Sequence, residues 1–147
     1  MATPIVVGVD GSDGAARALE WCRDHAPALD AEVVVVHAFS LAAFTVVPTY
    51  DVPSMAEVAA QTREELARLL ATEWTAVLKG IPHRAELVEG SASRVLMDIA
   101  EKERAQLLVV GSRGRGGFAE LVLGSVSHQL VHHSKVPVLV VPPPDRG

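Results

Sequence analysis

Apolar runs and helical periodicities alternate along this chain. Ile5-Val6-Val7-Gly8-Val9 is a short β-branched run that ends in Asp10-Gly11-Ser12, a turn and N-cap cluster. Ala15, Ala18, Leu19, Cys22 and Ala26 then recur at three-and-four spacing, one apolar face of a helix. Val33 to Ala38 is apolar on both faces apart from His37, as in a strand buried in a parallel sheet. Ser54, with Glu57 three residues later, forms a capping box and opens the longest helix. Its inner face is Met55, Val58, Ala59, Thr62, Leu66, Leu69, Leu70 and Val77, and Gly80 and Pro82 stop it. Residues 83–88 alternate more and are expected at a sheet edge. Ser91 opens a helix through Val95, Leu96, Ile99 and Ala100, and Leu107 to Val110 is the fourth strand. Ser125 to His133 reads as a short helix and Val136 to Val141 as the last strand. Asp13 with Arg17, and Glu64 with Arg68, are each four apart and are expected to pair on helix surfaces.

The order βαβαβαβαβ predicts an α/β fold: an open five-stranded parallel sheet with helices on both faces. Ligands of such sheets bind beyond the carboxyl ends of the strands, where the strand order reverses. A strand order of 3-2-1-4-5 makes the first and fourth strands neighbours at that reversal, and they end in Asp10 and Gly111. Residues 39–53 form a long connection, unusually apolar for a loop. A flap packed on the surface is expected there, with a ligand lid or a partner patch as alternatives.

With 147 residues the chain suits one domain, 1–147, and 49% hydrophobic residues fill its core. No basic leader precedes the first strand, and no run approaches the ~18 apolar residues of a membrane helix. The only cysteine, Cys22, excludes an intrachain disulfide, and a cytoplasmic location is expected. A formal charge of −5 argues against general nucleic-acid binding. Locally the balance differs: Arg113 and Arg115 stand in a 111–124 loop whose one acid is Glu120. Such a loop suits a small polyanion.

That loop follows a buried strand and leads into a helix start, where small residues let backbone N–H groups approach phosphate. A P-loop is excluded because no Gly-Lys pair exists. Gly114-Arg115-Gly116-Gly117-Phe118-Ala119 matches the dinucleotide pattern literally, but it lacks a tight strand-to-helix turn and a ribose-binding acid about twenty residues on. Gly-x2-Gly-x9-Gly-Ser is matched without a gap by Gly111, Gly114, Gly124 and Ser125. This spacing resembles the ATP-binding signature of the universal stress protein family. Val9-Asp10-Gly11-Ser12, Val36-His37-Ala38 and the terminal Ser134-Lys135-Val136-Pro137-Val138-Leu139-Val140-Val141 are similar to that family as well, so the resemblance spans the chain.

The resemblance implies a Rossmann-like fold of the adenine nucleotide alpha hydrolase type and a site for ATP. Asp10 would lie near the ribose, with Val9 beside the base and the Ala38 backbone on the adenine edge. Gly111 and Gly114 would let the loop wrap the phosphates. Gly124, Ser125, Val126 and Ser127 would present N–H and hydroxyl donors to them, and Arg113 is a phosphate partner by charge. Magnesium is assumed from the ligand, not read from residues. The implied role is nucleotide-responsive stress signalling, with no catalytic residue assigned and the protein partner unnamed. Alternatives are a cyclic AMP-binding member, a slow ATPase or autokinase, and an interaction module whose glycines serve only a tight loop. A homodimer through Val136 to Val141 is expected, since that apolar edge is otherwise unpaired.

Among the remaining residues, Asp10 has a competing role as a helix cap, for which Ser12 is better placed. His37 is expected to be a satisfied histidine within its strand. His128 and His132, four apart with His133 adjacent, have ligand spacing but no third ligand, and are expected to face solvent rather than hold a metal. Ser125 and His128 lack an orienting acid, so hydrolase chemistry is not expected.

Overall fold

A computed structural model describes residues 3–40, 55–112 and 123–143. The 41–54 segment, including Ser54 of the expected capping box, lies outside them, as do Arg113 and Gly114. Five strands, β1 (Ile5–Gly8), β2 (Val33–Phe39), β3 (His83–Glu89), β4 (Leu107–Gly111) and β5 (Val138–Val141), form one sheet in the order β3-β2-β1-β4-β5. Every adjacent pair is parallel. The described helices are α1 (Asp13–His25), α2 (Met55–Leu69), α3 (Ala92–Lys102) and α4 (Ser125–His133).

The periodicities become two core layers. Ile5, Val7, Val33, Val35 and Val109 face α1, whose Ala15, Ala18, Leu19 and Cys22 are buried, together with Leu70 and Leu78. Val6, Val34, Val36, Leu108 and Val110 face the other way, against Val95, Leu96 and Ala100 of α3 and Leu130 of α4. The three central strands are thus apolar on both sides, whereas β3 at one edge carries its polar residues toward solvent.

Differences from the sequence pattern are local. The long helix does not run evenly to Val77: a π-turn spans Leu70–Trp74 and a 3-10 turn spans Ala76–Leu78. The buried Thr75 hydroxyl donates to the Leu70 carbonyl at 2.9 Å, supplying a partner the interrupted ladder leaves open. β5 begins at Val138 rather than Val136, after Pro137, which has no N–H to give the ladder. Arg17 pairs with Glu20 at 3.3 Å and not with Asp13. Likewise Arg68 pairs with Glu65 at 2.6 Å and not with Glu64. Both choices are three-residue helical spacings, which serve a long arginine side chain as well as four-residue ones do.

Burial pushes the Cys22 thiol from its ordinary 9.0 up to about 12. An unfolded chain loses this proton near its ordinary value and the folded one keeps it. Stability is therefore full below about pH 9 and falls as pH rises toward 12, by about 1.4 kcal/mol per unit from this group. Denaturant midpoints measured from about pH 8 to 10.5 should show the fall, and Cys22→Ala should flatten it. Equal slopes in the two proteins would refute the assignment.

Candidate functional site

The site begins as a notch in the sheet. β1 has four residues, flanked by seven in β2 and five in β4. Gly8 pairs with Val36, and Val7 with Val109, so Ala38 and Gly111 stand beyond the last β1 residue. Backbone direction alternates along a parallel strand, each residue turning both polar groups to one neighbour. Val36 accepts from Val9 N–H at 2.9 Å, and Phe39 accepts from Gly90 N–H at 2.8 Å on the opposite side. The Ala38 backbone groups therefore point to the β1 side, into the notch. Leu108 and Ser112 donate to Pro137 and Val141 of the β5 side. By the same alternation Gly111 points to the β1 side as well.

Val9 and Asp10 leave β1 at the floor of this notch. Ser12 N–H donates to Asp10 Oδ1 at 2.9 Å, and the Ser12 hydroxyl accepts from Ala15 N–H at 3.2 Å as the cap of α1. Asp10 thus accepts within the turn, and Ser12 caps the helix, as expected of Ser12 from the sequence. His37, 9% exposed, holds the Val9 carbonyl through Nδ1 at 2.7 Å and meets the Trp74 ring edge-on at 5.0 Å. It is a satisfied strand histidine, and the π-turn is what delivers Trp74 to it.

Gly124, not Ser125, is the N-cap of α4, and no side chain caps it. Ser125 is the first helical residue, so its N–H, with those of Val126 and Ser127, opens the helix. A glycine cap has no side-chain oxygen, so no cap side chain covers these N–H groups at the positive end of the helix dipole. Ser112 ties this end to β4. Its carbonyl accepts from Gly124 N–H at 2.5 Å and from the Ser127 hydroxyl at 3.1 Å, and its own N–H donates to Val141 at 3.0 Å. Ser127, 2% exposed, is therefore an anchor of the loop ends, and its hydroxyl also lies 3.1 Å from the Gly124 carbonyl. The Ser127 hydroxyl and the Gly124 N–H are engaged within the protein and Ser127 is buried, which leaves the N–H groups of Ser125 and Val126 as the accessible donors.

Gly111 has a structural reason to be glycine that its sequence position does not reveal. A Cβ there would lie 2.6 Å from the backbone carbon and oxygen of Gly14 in α1. Beside the same turn a cavity of about 180 Å³ opens on the α1 side, against Val9, Leu19 and Trp74. Glu20 and Glu73 line it, so its charge disfavours a phosphate.

Residues 1–142 match the family model described as universal stress protein family. The chain belongs to the universal stress protein family. A universal stress protein of Thermus aquaticus is 36% identical over 138 residues, covering 93% of this chain and 96% of that protein. Universal stress protein Rv2623 of Mycobacterium tuberculosis is 34% identical, and the chain spans 44% of its length. Among solved structures, a universal stress protein in complex with cAMP is 25% identical, with a TM-score of 0.72 and 97% of this chain covered against 98% of that one. The Archaeoglobus fulgidus universal stress protein in complex with dAMP shares the fold at a TM-score of 0.63 and 22% identity, over 95% of this chain and 97% of that one.

Within this universal stress protein, Val9, Asp10, Ala38, Gly111, Gly124, Ser125, Val126 and Ser127 lie toward the same end of the sheet. Arg113 and Gly114 fall outside the described residues. Missed by sequence reasoning were Gly14, which receives Gly111, and Trp74 and His37 as the support of Val9. Only the residue Gly14 itself, near the start of a helix, hints at the first; nothing local announces the second.

Proposed function

We propose that this chain, as a single 1–147 domain, binds ATP in the notch between Asp10 and the 111–127 segment and serves as a nucleotide-responsive regulator. One observation carries the reading: an uncapped helix start whose free donors, Ser125 and Val126, are anchored beside a gap in the central strand. The gap offers backbone partners at Ala38 and Gly111 for a flat polar ring and a carboxylate at Asp10 for ribose hydroxyls. The helix start takes the phosphates, with Arg113 and Gly114 from the adjoining loop. Each charge at a helix start contributes roughly 0.3–2 kcal/mol. Micromolar affinity, near −8 kcal/mol, therefore needs several donors together with the base contacts. Magnesium would accompany the triphosphate through the ligand's own oxygens. The role is signalling in the cytoplasm, with occupancy ordering the phosphate loop and changing the surface offered to a protein partner.

Calorimetric titration with ATP, cyclic AMP and AMP tests the reading. Saturable 1:1 binding with ATP tightest is expected, and Gly114→Val should weaken it. Heat traces indistinguishable from dilution for all three ligands would end the proposal. A second reading, cyclic AMP as the preferred ligand, is favoured by the relative of known structure that holds cAMP; it predicts the opposite order of affinities. Turnover is at most weak on this view. Single-turnover phosphate release should stay at background, whereas a rate abolished by Asp10→Ala would favour the ATPase or autokinase alternative. The half-buried edge of β5 supports a homodimer through Val136 to Val141.

A further inference from the structure

His128 and His132 play no part in the notch. They lie one turn apart on the exposed side of α4, with ring centres 4.4 Å apart and planes tilted by 55°. An imidazole bound through nitrogen at about 2.0–2.1 Å has its centre about 3.2 Å from the ion. Two such rings at a right angle about a metal have centres about 4.5 Å apart, and a tetrahedral angle would spread them to about 5.2 Å. The observed 4.4 Å lies near the cis value of a tetragonal or octahedral ion, as Cu²⁺ and Ni²⁺ prefer, and short of the tetrahedral one.

We propose that His128 and His132 form a two-histidine chelate for a divalent late transition metal, with Cu²⁺ and Ni²⁺ favoured over Zn²⁺. Water completes the coordination, because among the described residues no group of three or more His, Cys, Asp or Glu could share a metal. Both rings are exposed, so aiming their lone pairs at one ion disturbs no packing. The position suits a cation: the last turn of α4 carries the negative end of the helix dipole. His133 follows, with its ring centre 6.4 Å from that of His132, beyond the cis spacing. Its position about 100° further round the helix keeps it out of the pair. Occupancy links successive turns and stiffens the end of α4 opposite Ser125.

The site stands independently of nucleotide binding and is tested without nucleotide. Cu²⁺, Ni²⁺ and Zn²⁺ are titrated into the full chain and into His128→Ala, His132→Ala and His133→Ala, with Cu²⁺ electron paramagnetic resonance as a second readout. One equivalent of Cu²⁺ should bind with two nitrogen ligands. His128→Ala and His132→Ala should each weaken binding by about tenfold or more, at least the scale on which outer-shell losses act. His133→Ala should leave affinity within about twofold. Affinity unchanged in either of the first two variants, equal loss in all three, or Zn²⁺ binding tighter than Cu²⁺ would overturn the proposal.

Discussion

Replacing Gly111 with alanine is expected to lower the melting temperature by about 5–15 °C before any ligand is added, from about 2–4 kcal/mol of overpacking. The added Cβ would meet the Gly14 carbonyl carbon and oxygen at 2.6 Å and the Gly14 Cα at 2.9 Å. These are backbone atoms of a helix packed on the sheet, not the tip of a movable side chain. Relief requires α1 to lift off β4, which loosens Ala15, Ala18 and Cys22 together. Gly80 provides the contrast. Its φ is +87°, but nothing lies within 4 Å of an added Cβ, so Gly80→Ala meets only the left-handed backbone penalty of roughly 1–2 kcal/mol. Thermal scans of both variants in the absence of nucleotide separate the two roles of Gly111. A glycine needed only for phosphate approach would leave the free protein's melting point where it was.

That distinction marks where sequence reasoning reached its limit. Strand order, the two-faced burial of β1, β2 and β4, and the placement of Asp10 and Gly111 past or at the ends of neighbouring strands were all legible. They follow from local periodicity and from rules of chain connection that need no tertiary detail. The reason for Gly111 was not legible, because its partner Gly14 is close only after α1 has packed across β4. Nor was the π-turn, because Thr75 closes it with one hydroxyl that competes with the backbone only once buried. Arginine partners were misjudged for a related reason: three- and four-residue spacings are nearly equivalent on an isolated helix. The cap of α4 is Gly124, one residue before the serine at which the helix opens. This placement matters most for function, since it leaves the Ser125 N–H without a side-chain cap at the helix start.

Ser125→Pro turns that placement into a test, and it is expected to weaken ATP binding by roughly 10- to 100-fold while the fold remains intact. Proline is well accepted at the first helical position, where its fixed φ suits the helix and its missing N–H breaks no helical bond. The residue before it must be extended, and Gly124 already is, with φ −75° and ψ 172°. The variant therefore removes an N–H and a hydroxyl from the ligand and nothing from the helix ladder. A charge-assisted hydrogen bond contributes about 1.5–3 kcal/mol, which sets the expected loss. Ser125→Ala keeps the N–H and loses the hydroxyl alone, so its loss should be smaller than that of Ser125→Pro. Melting temperature and affinity are measured on both. Full ATP affinity in Ser125→Pro, with an unchanged melting point, would mean that phosphates do not sit at this helix start. Binding would then have to be sought on another face of the notch, at Ala38 and Asp10 alone.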